Sequence, residues 1–375
     1  MTKRVAILAG VFFVLIALLW PAVRWVEAQD GGQIAVTNST VKMDYPTNMD
    51  FSCQATDSVN ITNVRLQYQV EQMTFAEVIS EANVAFTPGS SISASYSLNM
   101  LRYGQIPQGI GVDYWWIIKD ASGNKLQTDP QHYVVADNQH TWNTLNQNNV
   151  NLFWYGQNDT FGKAIMSVAQ AALAKLANDT GAVPEQKVNL SVYTGERDYA
   201  ASVTGASEWS GGVTLPSFNS IILLIRPGNL TADVTGVSHE LSHVIVEQKT
   251  FNPYNSVPYW LNEGLAMYLQ YPDGVLPSQF TTPFSNAVQN DTLISVRSLC
   301  DPFSAYPEKA FLSYAESVSI VTYLIDWYGR DKMLQFLNAF KGGTTYDGAL
   351  QMVYGFDMDG LFVSWSASVK NRSVK

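Results

Sequence analysis

The sequence predicts a multi-domain protein in which an all-β module precedes an α+β domain with a helical C-terminal lobe. Three observations carry this. Residues 33–136 alternate apolar and polar positions in short runs, with turn residues every ten or so. Residues 149–226 mix strand-like runs with one long helical period. From residue 231 the apolar spacing is helical almost to the end of the chain.

The first 29 residues stand apart as a targeting segment. Lys3 and Arg4 precede an almost unbroken apolar run from Val5 to Val23, and Val26-Glu27-Ala28 places small residues where a signal peptidase cuts. The run suits a cleaved signal peptide and also reaches the minimum for a membrane anchor. Either way the positive end stays in the cytoplasm and residues 30–375 are expected outside it, secreted or anchored. The apolar fraction of 46% is ample for real cores. A net charge of −10 argues against nucleic acid as a partner. Cys53 and Cys300 fall in different predicted domains, so a bridge between them is not expected. Eight Asn-x-Ser/Thr sequons, from Asn38 to Asn371, matter only if the host glycosylates its exterior.

In the module, Val64–Val70, Ser93–Leu98 and Asp113–Ile118 read as strands, with a hairpin turn over Asp120–Asn124. The pattern suits an immunoglobulin- or fibronectin-like sandwich over residues 33–136, although a Cys–Trp–Cys signature is absent. Such a module is more often a spacer or docking surface than a catalyst. Residues 137–148 are polar and read as a linker, and His132 and His140 beside it as surface residues rather than ligands.

The second domain, residues 149–375, opens with a strand over Val150–Tyr155 and a helix over Phe161–Asn178, with Gly181 beyond its end. Lys187–Tyr193 is a strand, Arg197–Val203 a short helix, and Ser220–Ile225 a strongly apolar strand. After residue 263, helices are expected over Lys309–Tyr328, ended by Gly329, and over Asp331–Phe340, ended by Gly342-Gly343. Two more, near 345–354 and 357–370, close the chain.

The chemistry lies between these halves, in Ser238-His239-Glu240-Leu241-Ser242-His243. Thr231–Gln248 reads as a helix capped by Thr231, with Asp233 in its first turn and Val237, Leu241, Val244 and Ile245 as its apolar stripe. His239 and His243, four apart, project from one face, where both imidazoles can reach one Zn²⁺ at about 2.0–2.1 Å. Glu240 points beside the metal rather than at it, as suits a general base for the metal-bound water. A hydrolytic zinc needs a third protein ligand and an open position. Pro258–Tyr268 reads as a second helix, stopped by Pro272 and Gly274, with Trp260, Leu261, Leu265 and Tyr268 inward and Glu263 on the other side. Glu263 can complete a His₂Glu site. The chain has only four His, and two sit in this motif. A Glu in an apolar helix is hard to explain by packing.

His239-Glu240-Leu241-Ser242-His243 followed by Trp260-Leu261-Asn262-Glu263-Gly264-Leu265-Ala266 resembles the gluzincin metallopeptidases, and more narrowly the peptidase MA-like proteins of bacterial and archaeal cell surfaces. The resemblance spans roughly residues 140–375 and is specific at the two metal helices. It implies zinc ligands His239, His243 and Glu263, Glu240 as base and proton shuttle, and a sheet-edge strand from residues 211–226 that pairs with extended substrate. It also implies a Tyr or His donor to the developing oxyanion. No His follows His243, so Tyr314 is the candidate, although with 19 Tyr in the chain it can equally be a packing residue. Glu316, Ser317 and Asn262 are candidates for orienting the ligands. Gly205–Trp209 resembles only superficially the amine-gripping segment of the family's aminopeptidases, because its Met and Asn are missing. With no terminus-gripping motif, endo-cleavage of a peptide or protein substrate is the default. The rival reading is a surface binding or adhesion protein whose lobe is inactive or hydrolyses a non-peptide bond.

Overall fold

The fold follows from two sheets, each answering a different hydrophobic pattern. The computed structural model describes residues 33–203 and 211–373. The targeting segment and Gly205–Trp209 lie outside the described residues. Among the described residues, no helix is long and apolar enough to cross a membrane.

The first sheet is antiparallel, with seven strands: β1 (Ala35–Asp44), β2 (Asn48–Val70), β3 (Ser80–Asn83), β4 (Gly89–Asn99), β5 (Gly111–Asp120), β6 (Lys125–Gln127) and β7 (Gln131–Val134). β2 is the hub. Its first half pairs with β1 and β4, setting Phe51 opposite Val41 and Tyr96. Its second half pairs with β3 and β5, setting Leu66 opposite Ala82 and Trp116. Between Thr56 and Asn63 the register slips, which lets one strand of 23 residues serve both groups. Burial along β2 alternates with period two, so Met49, Phe51, Cys53, Leu66 and Tyr68 enter one core. The two groups face each other across that core. The Phe51 and Tyr114 rings, one from each group, meet edge to face at 4.9 Å. Truncating a side chain as buried as Trp116 would cost about 3–5 kcal/mol.

The second sheet has five strands in the order β11-β12-β10-β9-β8: β8 (Trp142–Gln147), β9 (Val150–Tyr155), β10 (Val188–Tyr193), β11 (Gly212–Leu215) and β12 (Ser220–Leu224). β9, β10 and β12 run parallel, and β8 and β11 are antiparallel flanks. Nine α-helices occur among the described residues: α1 (Asp159–Thr180), α2 (Glu196–Ser202), α3 (Leu230–Asp233), α4 (Thr235–Thr250), α5 (Tyr259–Gln270), α6 (Ser278–Asn290), α7 (Pro307–Lys341), α8 (Tyr346–Tyr354) and α9 (Met358–Ser373). α1 begins where Asn158 Oδ1 accepts the Phe161 amide and ends at Gly181 in the left-handed region. α7 is two helices joined at Gly329, whose φ of 79° no β-carbon-bearing residue adopts readily. A large second core joins β9, β10 and β12 to α1, α4, α5 and α7.

Three expectations need correction. Residues 142–147, read as linker, form β8 against β9; as a half-exposed edge strand it carries no clean apolar alternation. Thr231 does not cap the metal helix. Residues 230–233 form the separate turn α3, and Asp233 is drawn off to the Arg226 guanidinium at 2.9 Å. α4 then starts at Thr235 with no side-chain cap. α6 was not marked by the pattern, and it carries Pro283 within it.

Candidate metal centre

α4 lies on the second sheet by its apolar stripe. Val237, Leu241, Val244 and Ile245 are fully buried, which turns His239, Glu240 and His243 toward a cleft of about 820 Å³. α5 crosses close to α7 at Gly264, where an added Cβ would lie 2.6 Å from the Ser317 carbonyl oxygen. That close approach seats Trp260, Leu261 and Leu265 in the core and leaves Glu263 facing α4.

The three expected ligands converge. Glu263 Oε2 lies 3.5 Å from His239 Nε2 and 3.8 Å from His243 Nε2. One donor atom from each residue falls within 4.8 Å of the others. Donors at about 2.0–2.1 Å from a tetrahedral zinc stand about 3.4 Å apart, so the set fits zinc with little adjustment. Two imidazoles and one carboxylate are also the donor chemistry of a hydrolytic site. His239 Nδ1 lies 3.0 Å from Gln270 Oε1, which holds the proton on Nδ1 and leaves the Nε2 lone pair facing the centre. His243 Nδ1 is buried with no partner among the described residues.

The charges are consistent with a cation site. Burial works to raise the Glu263 pKa, but His243 and His239 hold it below the ordinary carboxylate value. Burial works to lower that of His239, but Glu263, Glu240 and Gln270 together raise it. Arg226, which also borders the cleft, is engaged by Asp233 and Glu196.

Glu240 stands beside the cluster and is tied to the sheet. Thr214 Oγ1 donates to its Oε2 at 2.6 Å. Gly212, on the same face of β11, makes the approach possible, since an added Cβ there would sit 2.8 Å from Glu240 Oε1. β11 is the flanking strand among the described residues. β12, directly before the metal helix in the chain, lies inside the sheet, so only part of the 211–226 segment is an edge.

Tyr314 lines the cleft with Tyr259, which the sequence did not single out. Burial, then the charge of Glu263, the neighbouring Tyr259 and the charge of Glu240, push the Tyr314 phenol well above its ordinary value. It therefore keeps its proton and can donate. Its ring meets Phe303 at 5.1 Å, edge to face.

The expected orienting groups are not those used. Glu316 is fully buried on α7 and accepts from the Ile294 amide at 3.0 and 3.1 Å, remote from the imidazoles in its bonding. Ser317 packs its backbone on Gly264. No hydrogen bond among the described residues joins Asn262 to either imidazole. Gln270 takes the role; it sits two turns beyond Glu263 on the same face of α5, a spacing that marks it in retrospect. His132 pairs with Asp113 at 2.7 Å and His140 stacks on Tyr155 at 3.9 Å, both away from the centre.

No curated protein matches the sequence. Among solved structures, an M1 zinc metallopeptidase from Deinococcus radiodurans is 10% identical over 90% of this chain and 95% of its own, with a TM-score of 0.36. Wild-type OgpA from Akkermansia muciniphila is 9% identical with a TM-score of 0.22, and the match covers 29% of this chain and 31% of that one. A β-1,3-glucan-binding carbohydrate-binding module of family 56 is 14% identical over 27% of this chain and 98% of its own, at 0.17. The family profile of the Peptidase MA superfamily matches residues 168–371, more than half of the chain and a span that includes His239, His243 and Glu263. This chain belongs to the Peptidase MA superfamily.

Proposed function

We propose that the protein is a zinc-dependent metallopeptidase that cuts peptide or protein substrates outside the cytoplasm. The observation that carries the reading is the convergence of His239, His243 and Glu263 with Glu240 held beside them. When bound, zinc supplies Lewis acidity that acidifies a water and polarises the scissile carbonyl.

The chain's own groups do the rest. His239 and His243 present Nε2 lone pairs, and Glu263 supplies the carboxylate. β11, the flanking strand among the described residues, borders the cleft and is proposed as the wall along which an extended peptide lies. Glu240 takes the proton of the attacking water on its carboxylate. It then passes that proton to the departing amine as the C–N bond breaks. The Tyr314 hydroxyl donates to the carbonyl oxygen as negative charge develops there. No motif for gripping a terminus is secure in the sequence, so the expected cut is internal.

The N-terminal region is proposed to be an immunoglobulin- or fibronectin-like sandwich, on the ground that β2 serves two facing strand groups around one core. Residues 1–29 are proposed as the export signal or anchor. The test is digestion of a peptide library with internal cut sites read by mass spectrometry. Cleavage that stops on chelation and returns with Zn²⁺ supports the proposal. A zinc-loaded protein that cuts no peptide contradicts it.

A further inference from the structure

The turn between β11 and β12 leaves its own domain. Phe218, at that turn, is 3% exposed and is part of the hydrophobic core of the N-terminal module, with Leu215 packed against the same core. The Ser217 carbonyl accepts the amide of Met73, from the module's 71–79 segment, at 2.6 Å. That segment also stacks Phe75 on Phe251, just beyond α4, with ring centroids 4.2 Å apart. From the other side, the Asn219 side-chain amide donates to Gln186 Oε1 at 2.6 Å and accepts from Gln248 Nε2 of α4 at 2.7 Å. The hairpin is thus gripped at its turn by the module and by the metal helix. At its open end Gly212 and Thr214 lie on Glu240.

A strand of four residues at a sheet flank has little stability of its own. We infer that the N-terminal module positions the β11–β12 hairpin, with Phe218 as a positioning residue that fixes β11 against Glu240 and so sets the orientation of the base. The module is therefore a built-in support of the cleft wall that β11 forms. The inference rests on the peptidase reading for its kinetic arm alone.

The test compares the full-length protein with Phe218→Ala, Phe218→Leu and Met73→Pro, which removes the amide that binds Ser217. Leu98→Ala is the control, because Leu98 lies in the same module core but on β4. Amide exchange over residues 212–215 is read by mass spectrometry, beside zinc content and KM and kcat on a peptide cut by the parent. Phe218→Ala and Met73→Pro are expected to speed exchange over 212–215 about tenfold with zinc content unchanged. They should raise KM and lower kcat, together costing about 10–100-fold in kcat/KM. Phe218→Leu should recover most of both, and Leu98→Ala should lower thermal stability while leaving exchange over 212–215 and KM at parental values. Should Phe218→Ala fail to fold, Met73→Pro still decides. If exchange over 212–215 in Phe218→Ala or Met73→Pro matches the parent, the inference is overturned. Exchange needs no substrate, so a parent that cuts no peptide would sink the peptidase reading while the seating of the hairpin is still judged.

Discussion

Thr214 Oγ1 donates to Glu240 Oε2 at 2.6 Å, and this single bond joins the flanking strand of the sheet to the residue after His239, the first of the proposed zinc ligands. It fixes the carboxylate by a charge-assisted bond from a neighbouring element rather than by its own helix. Thr214→Val keeps the shape of the side chain and removes the donor. The expected result is a fall in kcat of about tenfold with zinc affinity unchanged, because the base is misoriented while the ligands are not. An unchanged kcat would remove Thr214 from the account.

Gln270 fixes the tautomer of His239 through Nδ1 at 3.0 Å. Gln270→Leu should weaken zinc binding about 10–100-fold, measured by competition with a chelator of known affinity. Parental affinity in that variant would mean the imidazole is oriented by its packing alone.

Tyr314 lines the cleft and is proposed as the donor to the developing oxyanion. Tyr314→Phe should lower kcat by about 10²–10³ with KM little changed. A rise in KM with kcat unchanged would make Tyr314 a binding residue.

Glu316 gives a prediction about stability. Burial raises its pKa to about 8 from 4.5, against the lowering effect of the Ile294 amide. The folded chain therefore keeps a proton that the unfolded chain releases above pH 4.5. Stability must fall as pH rises through this window, by about 1.4 kcal/mol per unit at most, and level off above pH 8. Glu316→Gln keeps an acceptor for the Ile294 amide and removes the loss. Denaturation near pH 4 should not separate variant from parent, whereas near pH 8 the variant should be more stable by a few kcal/mol, roughly. A difference of equal size at both pH values would show that the carboxyl does not titrate in this range.

The convergence of His239, His243 and Glu263 was legible because its pattern is local. Two His one turn apart share a face whatever surrounds them, and a Glu in an apolar run advertises a partner. The break of α7 at Gly329 was legible for the same reason, since glycine alone adopts that backbone cheaply. What escaped was tertiary. β8 is a flank with mixed exposure, so Trp142–Gln147 shows no alternation that separates it from a linker. Asp233 looked like a helix-start residue until Arg226 claimed it. Thr214 and Gln270 are ordinary polar residues in sequence, and only the packing of β11 and α5 against α4 gives them a role. Phe218 reads as part of one domain and packs in the core of another.

The most direct test of the central claim is to purify the protein beside its Glu240→Gln variant and assay both for bound zinc and for cleavage of the same peptides. The account predicts that both carry zinc equally, since Glu240 is not a ligand, and that only the parent cuts. Equal cleavage by the two, or loss of zinc from the variant, would contradict the assignment of Glu240 as the base beside a His239–His243–Glu263 site.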